Sequence, residues 1–117
     1  ASIFKAMCET ISEDAKLEEL RQAVAAFSAE IERQVSASEQ VDADSARALA
    51  ECCQYLLSRY HDFAPAQQAL IVGAVRYFAV ADDPFDDATF ASGFFDDKKV
   101  MNHVLERLGI EDRYLEV

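Results

Sequence analysis

The sequence predicts an all-α fold, a single compact bundle of four to five helices with an Asp-rich loop before the last helix. Three observations carry this prediction. The chain holds only three glycines and two prolines among 117 residues, whereas β-sandwiches and barrels turn often and need such residues at their turns. Its apolar residues recur at spacings of three and four along several stretches, the period of a half-buried helix. The composition, 51% hydrophobic and 28% charged, is that of a globular chain large enough to fold without a metal or disulfide.

Taken in order, residues 2–11 suit a short helix with Ile3, Phe4, Met7 and Ile11 on one side. Ser12 reads as the N-cap of the next helix, followed by Glu13 and Asp14, where the helix dipole favours negative charge. Leu17, Leu20, Val24, Phe27 and Ile31 form its apolar stripe, which fades near Val35. Asp42 or Asp44 can cap a third helix with the stripe Leu49, Cys53, Leu56 and Tyr60, flanked by Cys52 and Leu57. Residues 61–64 read as a connector, and Pro65 suits the first position of a helix over about 65–81. That helix carries Leu70, Ile71, Ala74, Val75 and Phe78. Gly73 within it costs about 1 kcal/mol relative to Ala, so a close approach by a neighbouring helix is expected there, making this the central helix. A last helix places Val100, Val104, Leu105 and Leu108 on one face, with Gly109 as its C′ residue and Ile110 closing on Leu105. Residues 111–117 read as a tail ordered by Tyr114 and Leu115. Neither a repeat nor a linker divides the chain, so residues 1–117 are read as one domain.

The formal net charge is −11, from 22 acids against 11 bases. Phosphate backbones repel such a surface, which argues against direct nucleic-acid binding. Three cysteines, Cys8, Cys52 and Cys53, without a C-x-x-C spacing give neither a disulfide framework nor a zinc site. Residues 1–12 include Lys5 and Glu9 and lack the apolar run of a signal peptide. The most apolar stretch, residues 69–81, is interrupted by Arg76 and is too short for a transmembrane segment. A cytoplasmic protein is therefore expected.

Residues 82–97 break the helical pattern with six Asp, no basic residue, and Phe85, Phe90, Phe94 and Phe95 between them. Tyr77, Asp83, Asp87, Gly93 and the run Phe94-Phe95-Asp96-Asp97 follow the order Y-x5-D-x3-D-x5-G-aromatic-apolar-D-D. This resembles the YkvA-like family of small bacterial helical domains, whose signature is a similar Tyr, two spaced Asp, and Gly-Tyr-Leu-Asp-Asp. The resemblance lies within about residues 70–108 and is carried by 77–105. Ala81 and Asp86 stand where the family usually has proline, while Pro84 lies between the first two aspartates of the motif. The resemblance implies an all-helical fold and a bacterial origin, and it implies no reaction.

Two readings of these carboxylates compete. In the structural one, Asp83 caps a single turn with Pro84 at its first position, and Asp96 caps the last helix. Asp87 or Asp97 then accepts backbone N–H groups or pairs with Arg76. In the other, Asp83, Asp87, Asp96 and Asp97 converge on Mg²⁺, Mn²⁺ or Ca²⁺, which take oxygen ligands. Arg76 is either an arginine whose stem packs while its head reaches solvent, or a fixed counter-charge for that cluster. The sequence fits neither an EF-hand loop nor a Glu-x-x-His di-iron pattern. A role shared between Asp96 and His103, seven residues apart, is weak, because about 10 Å of helix axis separates them. G-x-S-x-G, Walker and G-x-G-x-x-G motifs are absent, so no catalytic residue is assigned. The leading expectation is a non-enzymatic protein-interaction module, with Tyr77, Gly93, Phe94 and Arg76 supporting the loop. The alternatives are a divalent-cation-binding domain, extending to a metal-dependent hydrolase, and an acidic decoy of a basic nucleic-acid-binding surface.

Overall fold

A computed structural model describes residues 2–37, 43–80 and 94–115. They form five α-helices, α1 (Ser2–Met7), α2 (Asp14–Ala37), α3 (Ala43–Ser58), α4 (Pro65–Ala79) and α5 (Phe95–Leu108), with a 3-10 turn at Tyr60–Asp62. No strand occurs among the described residues. The radius of gyration, 13.5 Å, is close to the ~13 Å of a compact 100-residue domain. The all-α bundle is as the apolar periodicity predicts.

Helices α2 and α3 lie side by side and antiparallel. Arg47 of α3 holds Glu32 of α2 through two parallel hydrogen bonds, Nε to Oε1 at 2.6 Å and Nη2 to Oε2 at 2.8 Å. Further along, Arg21 Nη2 donates to the Leu57 carbonyl at 3.2 Å, and Gln54 Nε2 donates to the Arg21 carbonyl at 3.2 Å. Positions rise along one helix as they fall along the other, so the chain reverses between them. The expected stripes point inward: Leu17, Val24, Ile31, Leu49, Cys53 and Leu56 are all buried.

Helix α4 is the hub, touching α1, α2, α3 and α5. Its residues Ile71, Val72, Ala74, Val75 and Phe78 are buried. The close approach expected at Gly73 is made by α1. A Cβ there would lie 2.4 Å from Cys8 Sγ and 2.9 Å from Phe4 Cε1. The N-terminus of α4 begins with Pro65, and Gln67 Oε1 reaches back to accept the Ala64 N–H at 3.1 Å.

One element start and one element end differ from the sequence reading. Helix α1 stops at Met7 instead of running to residue 11. Tertiary partners take the following backbone groups: Tyr60 Oη accepts the Ile11 N–H and donates to the Ile11 carbonyl, both at 2.7 Å. Thr10 Oγ1 donates to the Pro65 carbonyl at 2.7 Å, and Arg76 Nη1 donates to the Met7 carbonyl at 3.1 Å. With those groups bonded elsewhere, another helical turn would gain nothing. Helix α2 starts at Asp14, and the Glu13 carbonyl accepts the Lys16 and Leu17 N–H groups, so Glu13 and not Ser12 holds the cap position. Helix α3 starts at Ala43, with Asp44 in its first turn; Asp42 lies outside the described residues.

The end of α5 follows the expected pattern. Gly109 adopts a left-handed φ of 76°, its N–H bonds the Glu106 carbonyl, and the Ile110 N–H bonds the Leu105 carbonyl at 3.0 Å. This double closure satisfies two carbonyls that the helix itself leaves open. The tail is fastened by Leu115 and Arg113, whereas Tyr114 is exposed. Asn102 Nδ2 donates to the Leu115 carbonyl at 2.9 Å, while its Oδ1 accepts the Leu115 N–H at 2.7 Å. The Arg113 guanidinium lies 3.7 Å from the centre of the Tyr55 ring.

Candidate functional site

The residues of the acidic motif fall on two elements and on a segment between them. Arg76 and Tyr77 close the last turn of α4, and Phe94, Asp96 and Asp97 open α5. Asp83, Asp87 and Gly93 lie outside the described residues, as do Phe85 and Phe90. Asp96 is exposed, whereas Asp97 is buried, close enough to Cys53 to raise its thiol. Neighbouring helical residues project about 100° apart, which accounts for the different surroundings of these two carboxylates. Among the described residues, no group of three or more His, Cys, Asp or Glu is placed to hold a metal ion.

The expectation that Asp96 caps the last helix is corrected. Phe94 occupies the cap position, Asp96 is the second helical residue and Asp97 the third. Both carboxylates still sit in the first turn, where the helix dipole favours them. Phe94 adopts a left-handed φ of 65°, which costs a residue with a Cβ about 1–2 kcal/mol. Its ring offsets this cost by packing 6.4 Å from Phe27 and 6.1 Å from Phe78, whose own rings are 4.8 Å apart. Phe78 and Phe94 are therefore core anchors, as the sequence suggests.

Arg76 spans the gap to α1. Its Nη1 donates to the Met7 carbonyl and to Glu9 Oε2, each at 3.1 Å. It thus neutralises the C-terminal end of α1, a use foreseen by neither sequence expectation, a solvent-reaching head or a counter-charge for the aspartates. Tyr77 packs its ring edge-on to Phe4 at 6.5 Å and supports the same helix.

A concavity lies between α1, α4 and α5. It measures about 730 Å³ and is lined, among the described residues, by Phe4 and Lys5 of α1, Cys8 just after it, Leu70 of α4, and Lys99, Val100, His103 and Arg107 of α5. That volume falls within the usual range of ligand-binding clefts. Phe4, Leu70 and Val100 supply its apolar lining, and His103 sets its ring edge-on to Phe4 at 6.4 Å. Among the described residues, each charged residue of the lining is basic, in a chain with twice as many acids as bases. Two other concavities carry both signs. One has Glu51, Asp112 and Arg113; the other has Glu9, Lys16, Glu19 and Arg76.

Lys99, His103 and Arg107 recur every fourth residue, so they form one row along α5, about 12 Å from end to end. Sequence reasoning did not single out this row. Its signal is present as an i, i+4, i+8 pattern, but such a pattern on a polar face ordinarily means a solvated surface.

The three cysteines are poor nucleophiles. Burial pushes the Cys53 thiol up, and the nearby Cys52 and Asp97 add to the effect. Burial likewise raises Cys52 and Cys8, opposed by Arg113 and Arg76 respectively. All three are thiols at neutral pH, which suits packing and not attack.

These observations define an all-α bundle in which, among the described residues, apolar and basic side chains line a common concavity. No helix among the described residues is long and apolar enough to cross a membrane. Comparison of the chain with protein-family models, curated proteins and solved structures gives no match.

Proposed function

We propose that the chain is a non-enzymatic protein-interaction module of the YkvA-like type, and that its partner docks in the groove between α1, α4 and α5. One observation carries this reading: among the described residues, the apolar side chains of Phe4, Leu70 and Val100 line one concavity together with Lys5, Lys99, His103 and Arg107. Exposed apolar surface rimmed by polar groups is the usual mark of a docking face. The family assignment rests on the spacing from Tyr77 to Asp97. In this reading Phe94 and Tyr77 are architectural, since their rings pack against Phe27, Phe78 and Phe4.

Site-specific photo-crosslinking in the source cells tests the proposal. A benzophenone side chain at Val100 should give a discrete adduct with one protein, and the same group at Gln22, exposed on α2, should not. Equal adducts from both positions, or none from position 100, would remove the groove as the docking face.

A further inference from the structure

Resting on the groove as the docking face, we infer that residues 2–11 are a strap that lifts from α4 while α2 to α5 stay folded, and that the partner is held only when the strap is seated. Phe4, Lys5 and Cys8 belong to the strap, whereas Leu70 and the α5 residues of the lining belong to the rest of the chain. A lifted strap therefore takes part of the groove's lining with it.

Burial gives the first argument. Among the described residues, Phe4 and Ile11 are the only buried apolar side chains that precede α2. Every other one lies between Leu17 and Leu108. Lifting the strap uncovers these two and the face of α4 beneath them, whereas unfolding uncovers the whole core, so the partial opening costs less. The second argument is length. Helix α1 has six residues, too few to persist in water unless a neighbour holds it. It packs chiefly on α4, where Gly73 and Arg76, three residues apart, share one face. Phe4 and Cys8 lie over Gly73, and Arg76 holds the Met7 carbonyl and Glu9.

The third argument is the kind of fastening. The bond from Thr10 Oγ1 to the Pro65 carbonyl and the bond from Arg76 to Glu9 are both at exposed sites. Water replaces such bonds at small net cost. The buried fastening is the pair of bonds between Tyr60 Oη and the backbone of Ile11, which makes the Ile11 amide a reporter of the seat. Ser12 and Glu13, both exposed, join the strap to α2. Docking then inherits the equilibrium of the strap. The apparent affinity is the intrinsic affinity multiplied by the seated fraction, so loosening the strap weakens docking even where no residue of the groove is changed.

The test follows amide exchange of the full chain by NMR, in water and in urea up to about 1 M. Corrected for intrinsic rates, the Ile11 amide should exchange at least ~10-fold faster than the amides of buried Val72 and Leu105, and with a smaller dependence on urea. Exchange of all three through one opening with one urea dependence would mean that the strap leaves only when the chain unfolds, and overturns the inference. The gate is read with Gly73→Ala/Arg76→Ala, at two positions that do not line the groove, after circular dichroism confirms that the variant is folded. Its Ile11 amide should exchange at least ~10-fold faster than in the native chain. The adduct from position 100 should fall at least ~3-fold, in step with the seated fraction that Ile11 reports. An undiminished adduct in a variant whose Ile11 amide is open removes the gate. If Ile11 shares the global opening while the native chain still gives the adduct, the strap is wrong and the docking face stands. If Ile11 opens locally while the native chain gives no adduct, the docking face is wrong and the strap stands without its gating role.

Discussion

At residue 73 two preferences oppose each other, and their magnitudes decide which prevails. Alanine favours a helix over glycine by about 1 kcal/mol, yet a methyl at Gly73 would press on Cys8 Sγ and Phe4 Cε1. Forcing an extra carbon into a packed site costs about 1–3 kcal/mol, so Gly73→Ala should lower stability in urea titration. The double variant with Cys8→Ala should recover part of the loss, with a coupling of at least ~0.5 kcal/mol. Strict additivity would show that α1 does not seat on α4 in this way. The thiols give a second prediction at this scale. Cys8, Cys52 and Cys53 are all raised in the folded chain, so above about pH 8.5 the unfolded chain releases thiol protons that the folded chain keeps. Stability must then fall as pH rises through that value, and it is unaffected by these groups below it. Denaturation between pH 7 and 10 should show the fall, and Cys53→Ala should flatten it. An unchanged slope in that variant would mean that Cys53 is not held as a buried thiol.

Among the elements, the helices that the sequence marks most plainly are those with one face in the core. Leu17 to Ile31 and Leu49 to Tyr60 keep their period because α2 and α3 each bury one side. Gly109 is legible because few residues tolerate its backbone geometry. Boundaries set by distant partners are not legible. Nothing local in residues 8–11 tells that Tyr60, forty-nine positions away, will bond both backbone groups of Ile11. The sequence presents Tyr60 as one more apolar position, and only the fold reveals its hydroxyl as a latch. Tyr60→Phe should strand a buried N–H and a buried carbonyl, at a cost of about 2 kcal/mol or more. Hydrogen exchange should register the change as faster exchange of the Ile11 amide. A stability equal to that of the native chain would contradict the latch.

For the whole molecule, the sequence directs attention to the aspartates, and the described structure directs it to the cations. An Asp-rich run is conspicuous because its composition is unusual. Lys99, His103 and Arg107 are inconspicuous because an i, i+4 row is ordinary on a solvated helix. They become a wall only when α1 packs across Gly73 and closes the other side of the cleft, a relation between residues nearly a hundred positions apart. Arg76 and Phe94 were legible as important and not as to their partners. The first bonds Met7 and Glu9, and the second joins the rings of Phe27 and Phe78. The claim on which the functional account turns is that this cleft, and no other face, receives the partner. Heteronuclear NMR titration of the isotope-labelled chain with the unlabelled partner captured from position 100 measures it most directly. The account predicts saturable shifts confined to Phe4, Lys5, Cys8, Leu70 and residues 99–107. Shifts centred on α2 and α3, or none at partner concentrations up to about 1 mM, would contradict it.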